Sequence, residues 1–166
     1  TAIENGYEGD FSYRWHHLKT DTFKPVLNPF SKALITEIED EATAKEGFLP
    51  TSYKTIKIIL RSNGGYIKVN ESSFMIKDQE IIMMNGVAST LGKNVYNFEN
   101  VFIQNFDSSG KLVWESWVKK NQSSVNDGGM LGSVFIYNTE SSIYMLYNDP
   151  ISNGGDIVEA SFTPEG

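Results

Sequence analysis

The feature that most constrains the fold is a succession of short apolar and aromatic runs separated by turn-forming residues, which fills the chain from residue 56 onward. The clearest example is NFDSSGKLVWESW at 105–117, where a strand, an Asp-Ser-Ser-Gly turn and a second strand follow one another. Similar runs include IYMLYND at 143–149 and DIVEASF at 156–162. Short strands with frequent turn signals predict a mainly β, antiparallel fold, with a sandwich, a barrel and a propeller as alternatives.

Polar residues between these runs predict where the strands stop. Lys-Asp-Gln-Glu at 77–80 separates SSFMI from IIMM and predicts a turn. Two longer polar stretches, 85–97 and 119–129, predict loops.

One segment near the N-terminus, 29–46, predicts a single amphipathic helix. Asn28 suits the N-cap and Pro29 the first helical position, where its missing N–H costs nothing. Apolar residues recur every four positions from Leu34, giving one apolar stripe. Gly47 suits a left-handed C-cap that ends the helix.

Two internal similarities predict a repeat of several strands. Residues 100–110 match 156–166 at an offset of 56 residues, and 78–86 resemble 140–148 at an offset of 62 residues. Two matched pairs in the same order at nearly the same spacing are typical of propeller blades. The alternative is a coincidence, because unrelated hairpins use the same turn residues.

The repeat sets the expected domain organisation. It predicts one β-rich domain over 1–166, with the helix at 29–46, a blade-like unit at 56–118 and a second, incomplete unit at 130–166. Because the second unit stops inside its own turn, we expect the chain to be a fragment of a longer protein. A self-contained β-sandwich is the alternative.

Several stretches carry a resemblance to known proteins. VFIQNFDSSGKLVW resembles the blade motif of PQQ-type β-propellers, with its D-x-x-G turn and closing Trp. IILRSNGGYIKVNE, FDSSGKLVWESWVKKNQSS and IYMLYND resemble uncharacterised secreted or envelope propeller-like proteins of bacteria. The resemblance covers roughly 30–150 and implies a partial propeller that is secreted, periplasmic or on the outer surface of a bacterium. Only one D-x-x-G…W unit is complete and no cofactor-binding set matches, so PQQ is not implied and no cofactor is expected.

Composition limits the partners. The net charge of −7 argues against nucleic acid, whose phosphates are bound by Lys and Arg. The sequence has no run of about 18 apolar residues, so no transmembrane segment is predicted. The absence of cysteine removes disulfides, Cys–zinc sites and Cys nucleophiles together.

Candidate site residues are few. Trp114 occupies the packing position of the blade motif, whereas Trp117 is either covered by a neighbouring element or exposed as an aromatic binding platform. The other candidate binding residues are adjacent in the sequence: Trp15, His16 and His17. The side-chain oxygens of three residues around a loop also suggest a calcium site: Asp149, Asn153 and Asp156. An ordinary turn is the alternative explanation for the same residues.

Two functions are consistent with these observations. The first is a non-catalytic β-rich binding or scaffold domain of the bacterial envelope, contacting protein or glycan through its inter-strand loops. The alternative is a fragment of a glycan-active hydrolase whose paired carboxylates lie on different blades. If the repeat is cut at Gly166, the strand 156–162 has a free edge through which the chain can self-associate.

Overall fold

The fold is mainly β with antiparallel sheets, as the strand pattern predicted. The computed structural model describes residues 2–3, 6–7, 9–12, 26–50, 52–149, 155–163 and 166. Within them, twelve strands follow in chain order: β1 (Ala2–Ile3), β2 (Gly6–Tyr7), β3 (Gly9–Ser12), β4 (Val26–Pro29), β5 (Tyr53–Leu60), β6 (Tyr66–Met84), β7 (Val87–Phe106), β8 (Leu112–Val118), β9 (Gln122–Val125), β10 (Phe135–Asn138), β11 (Ile143–Asp149) and β12 (Asp156–Phe162).

The chain divides into two compact units, and each is described by itself. The first unit contains Thr1–Glu71, Asn100–Lys119 and Glu165–Gly166, and the second contains Ser72–Glu99 and Lys120–Pro164. The long strands β6 and β7 contribute residues to both units. The predicted blade-like units, 56–118 and 130–166, do not coincide with these units. One domain built from two repeats therefore stays a prediction.

Two short helices replace the single helix predicted over 29–46. They are α1 (Lys32–Ile38) and α2 (Glu41–Glu46). The prediction was wrong in the middle because Asp40 takes an extended backbone, and its Oδ1 accepts the N–H of Thr43 (2.7 Å) to start the second helix. Gly47 has φ +82 and ends α2 in the left-handed conformation, as predicted.

The predicted helix start was also wrong. Asn28 and Pro29 lie in β4, and Ser31 is the N-cap, with its Oγ accepting the N–H of Leu34 (3.0 Å). A residue of the sheet caps the end of α1 at Ile38: Asn100 Nδ2 of β7 donates a hydrogen bond to the Ile38 carbonyl (2.6 Å). Neither helix of the described part has the length and apolar character needed to cross a membrane.

The core of the first unit lies between the helices and the sheet. The strand order of this sheet is β5-β6-β7-β8, and β3 pairs separately with β4. Helix α1 buries Leu34, Ile35 and Ile38 against Phe102 of β7, the strand that pairs with β8. Two tight turns join these strands, and the second of them was predicted from the sequence. Asn63 Oδ1 accepts the N–H of Gly65 (3.0 Å) between β5 and β6, and a second Asx turn joins β7 to β8.

A long hairpin replaces the turn predicted at 77–80 and most of the loop predicted at 85–97. β6 continues through 77–80 to Met84, and β7 begins at Val87 after only two residues, so both predictions were wrong. The joining residues, Asn85 and Gly86, have φ 52 and 79. Two positive φ values in a two-residue loop match the type I′ turn, whose twist suits a hairpin.

The second unit adds two sets of pairings to its parts of β6 and β7. Strand β9 pairs antiparallel with β7, with Phe98 opposite Gln122, and lies inside the stretch predicted as a loop over 119–129. Strands β10, β11 and β12 form a three-stranded antiparallel sheet in that order. Residues Ile143 and Met145 of β11 are buried, so one side of this sheet faces the interior of the unit.

The sheets in the described part have edge strands and do not close into a barrel or a ring of blades. The strand predicted to have a free edge, β12, is an edge strand of its sheet in these residues. The choice between a partial propeller and a sandwich stays a prediction.

Candidate functional site

The residues predicted as binding sites fall into two groups. Trp15, His16 and His17 lie outside the described residues. Trp117 is half-buried, stands opposite Phe102 in the β7–β8 register and packs against the core cluster of the first unit. Of the two alternatives for Trp117, the structure shows a ring partly covered by the protein's own core. Trp114 is half-buried rather than fully buried.

The predicted calcium ligands are described only in part. Asp149 and Asp156 stand opposite each other in the β11–β12 register, and the side chain of Asp156 is exposed. Asn153 lies outside the described residues. Within those residues, no three His, Asp or Glu side chains are close enough to hold a metal ion together. The calcium site stays a prediction.

One side of the three-stranded sheet of the second unit forms an exposed surface. Side chains alternate between the two sides of a strand, so the side opposite buried Met145 carries the intervening positions. Five of these are apolar or aromatic, and together they are here named the aromatic face: Phe135, Tyr137, Tyr144, Leu146 and Ile157. A sheet with one buried and one exposed side normally carries polar residues outside, so an apolar outer side indicates a contact surface.

Three aromatic rings lie in contact on the aromatic face. Tyr137 and Tyr144 are paired in register, and their rings stack with centroids 4.7 Å apart and planes 7° apart. Phe135 lies beside Tyr137 at a centroid distance of 6.2 Å. Phe135 is 66% exposed and Tyr137 is 36% exposed. The mutual stacking fixes the orientation of the tyrosine rings before any ligand arrives.

A carboxylate adjoins these rings. Leu146 stands opposite Glu159 in the β11–β12 register, which places Glu159 on the same side of the sheet. Partial desolvation, the negative charge of Glu159 and a hydrogen bond to it raise the pKa of the Tyr137 hydroxyl above its usual value of 10.0. Tyr137 therefore keeps its proton at neutral pH and serves as a donor, while Glu159 serves as an acceptor.

A groove of about 420 Å³ with both polar and apolar walls borders the same surface. Its walls include Met130 and Leu131, both exposed, together with Phe135, Leu146 and Ile157 of the aromatic face. The exposed apolar surface therefore continues from the sheet onto the loop that precedes β10.

The strongly hydrogen-bonded aspartates of the described part have structural roles. The Ser109 hydroxyl and the backbone N–H groups of the turn lower the pKa of Asp107, whose Oδ1 accepts three hydrogen bonds. The backbone N–H of Gly129 lowers the pKa of Asp127 in the same way. A carboxyl group held ionised by turn hydrogen bonds does not suit general acid catalysis at neutral pH.

The aromatic face was not predicted from the sequence, although a signal was present. Phe135 and Tyr137 are two positions apart, as are Tyr144 and Leu146, and a Thr-Glu-Ser-Ser turn lies between the two pairs. Alternating aromatic residues on both strands of a hairpin place their rings on one side. The period shows which residues share a side, but not which side is exposed.

Comparison with protein-family models, curated proteins and solved structures finds no match for this chain. The geometry of the described residues therefore has to carry any functional assignment.

Proposed function

We propose that this chain is a non-catalytic binding domain of a secreted or cell-envelope bacterial protein, and that it binds a glycan on the aromatic face. The observation that carries the proposal is the exposed set of contacting rings formed by Phe135, Tyr137 and Tyr144. Its site is the surface of a sheet, not the inter-strand loops that the sequence suggested.

The chemistry of the surface suits a sugar. A pyranose ring presents apolar C–H groups on its faces and hydroxyl groups around its edge. Aromatic rings such as Phe135 and Tyr137 offer π surfaces to the C–H groups, and the Glu159 carboxylate accepts hydrogen bonds from hydroxyl groups. A glycan can use the rings and the carboxylate together, and we therefore choose it over a protein, the other partner class expected from the sequence.

The localisation and the blade-like architecture belong to the same proposal. The Asp107–Gly110 turn carries much of the resemblance to propeller-like envelope proteins. This turn forms in the structure, and Asp107 Oδ1 accepts the backbone N–H of Ser109. That resemblance supports an extracytoplasmic location and a partial propeller. No observation among the described residues favours the hydrolase alternative.

The test is binding of defined oligosaccharides. Cellohexaose, xylohexaose, mannohexaose and chitohexaose are titrated by calorimetry into the parent protein, Tyr137→Ala and Tyr137→Phe. Stacking on one ring contributes about 1.5 kcal/mol, so we expect Tyr137→Ala to weaken binding of the preferred sugar roughly tenfold. Tyr137→Phe keeps the ring and is the matched control, with a loss of less than about threefold expected because only a hydrogen bond is lost.

Two results would contradict the proposal. The first is that none of the four sugars binds at millimolar concentration, which would leave a protein as the partner of this surface. The second is that a sugar binds equally well to the parent and to Tyr137→Ala, which would place the glycan site elsewhere.

A further inference from the structure

A cavity in the first unit lies outside the proposed glycan surface. It has a volume of about 330 Å³, within the range of small-molecule sites. Its walls combine three aromatic side chains with polar ones, namely Phe30, Tyr53, Phe102, Thr55, Asn70 and Lys68.

The aromatic wall is part of the hydrophobic core. Phe102 is buried at the centre, and the Phe30 ring meets it edge-on with centroids 5.6 Å apart. The Tyr53 ring meets Phe102 from another direction at 5.5 Å. Because these rings hold one another in place, the apolar wall is formed before a ligand arrives.

The polar wall contains an amide with unused hydrogen-bonding capacity. Asn70 is only 3% exposed, and its Oδ1 accepts a hydrogen bond from the Thr55 hydroxyl (3.0 Å). Its Nδ2 is buried and has no hydrogen-bond partner among the described residues. Buried polar atoms in native proteins are normally paired, so an unpaired donor lining a cavity indicates an occupant that accepts from it.

Two positively charged side chains line the cavity. Lys54 and Lys68 both line it, in a chain whose net charge is −7. Positive side chains at a cavity favour an anionic ligand over a neutral one of the same shape.

We propose that this cavity binds a small carboxylate with an apolar, preferably aromatic, body. One carboxylate oxygen accepts a hydrogen bond from Asn70 Nδ2, and the body packs against Phe30 and Phe102. This site is independent of the glycan surface, since the two share no residue.

The probe is phenylacetate, titrated into the isotopically labelled protein and followed by NMR. We expect saturable shifts of the Phe30 and Phe102 aromatic resonances, with a dissociation constant of about 1 mM or tighter. Phenylacetamide, the neutral analogue, should bind at least about fivefold more weakly, because it lacks the charge that the lysines favour. Equal binding of the two would overturn the assignment of a carboxylate.

Two variants locate the site. Asn70→Leu keeps the size of the side chain and removes the donor, so we expect binding about tenfold weaker or more. Asn97→Leu is the matched control: Asn97 also has a buried Nδ2 without a partner in the described part, but it does not line the cavity. Its affinity for phenylacetate should equal that of the parent.

A third variant keeps the test decisive if Asn70→Leu does not fold. Phe30→Trp fills part of the cavity and should abolish the shifts. Unchanged binding in either folded cavity variant would refute the site. So would an absence of saturable shifts at 10-fold the expected dissociation constant, or about 10 mM, which would leave an ordered water as the partner of Asn70. Tyr137→Ala, which changes only the glycan surface, should bind phenylacetate like the parent. The phenylacetate result can therefore be interpreted even if the glycan proposal fails.

Discussion

Replacing Asn28 by alanine should strongly destabilise the first unit, although the residue is neither a helix cap nor a large apolar side chain. Asn28 lies in β4 and is buried. Its Nδ2 donates to the carbonyl of Gly110 (2.9 Å), and its Oδ1 accepts the N–H of Leu112 (2.8 Å). One amide therefore satisfies two backbone groups of the β7–β8 turn, more than 80 residues away in the sequence.

The magnitude follows from counting what alanine leaves behind. Each lost hydrogen bond has a net value of about 1 kcal/mol, and each buried backbone group left unpaired costs about 1–3 kcal/mol. Water can reach the half-buried N–H of Leu112 more easily than the buried carbonyl of Gly110. We therefore expect the free energy of unfolding to fall by about 2–4 kcal/mol.

Urea denaturation followed by tryptophan fluorescence measures this loss. Trp114 and Trp117 lie in β8, directly after the turn, so their emission reports on the first unit. Asn28→Asp keeps an acceptor for the N–H of Leu112 but places a carboxylate against the Gly110 carbonyl, so it should be destabilised as well.

The matched control is Asn138→Ala, at an exposed asparagine of β10, which should change stability by less than about 0.5 kcal/mol. A loss below about 0.5 kcal/mol for Asn28→Ala would refute the reasoning, because it would mean that the turn forms equally well without the amide.

Three further results are expected. Phe102→Ala should lower the free energy of unfolding by about 3–5 kcal/mol in urea denaturation, because this ring is fully buried in the core, and a loss under about 1 kcal/mol would contradict its central position. Gly132→Ala should lower the melting temperature, because a Cβ there would overlap the ring of Phe98, whereas Gly92→Ala has open space and should be neutral; equal melting of the two variants would argue against the contact. Asp107→Asn should destabilise the protein near neutral pH and progressively less in acid. Since the folded-state pKa of Asp107 lies below 3.8, its contribution is present above that value and is lost as the pH falls through the folded pKa, so a urea-midpoint difference that did not shrink as the pH was lowered below 3.8 would exclude this origin.

Local signals in the sequence predicted several turns and most strands correctly. The Asp107 turn, the left-handed Gly47 cap and the strands at 143–149 and 156–162 all form where the sequence placed them. Each depends on hydrogen bonds or backbone angles within about four residues, or on the apolar pattern of one strand. Such interactions are encoded in a short window and change little with the rest of the fold.

The long hairpin shows where polarity misled the prediction. The polar residues at 77–80 lie in β6, and Asp78 forms an ion pair with Lys93 of β7 (3.2 Å). In a hairpin whose strands are joined by Asn85 and Gly86, these two residues stand opposite each other. Polar residues are tolerated in a strand when the neighbouring strand supplies the opposite charge. The Asn-Gly pair was the available signal for that hairpin.

The sequence by itself determined the class of structure and those turns that have a clear Asp or Gly signal, since strand periodicity and turn chemistry depend on neighbouring residues. Only the tertiary structure decided the role of Asn28, which suited a helix cap equally well, and the exposure of Phe135 and Tyr137. It alone also brought Asn70 to a cavity wall. These outcomes depend on which groups far apart in the chain become neighbours, because a side chain's partner and its access to water are set by the elements that pack around it and not by its position in a strand.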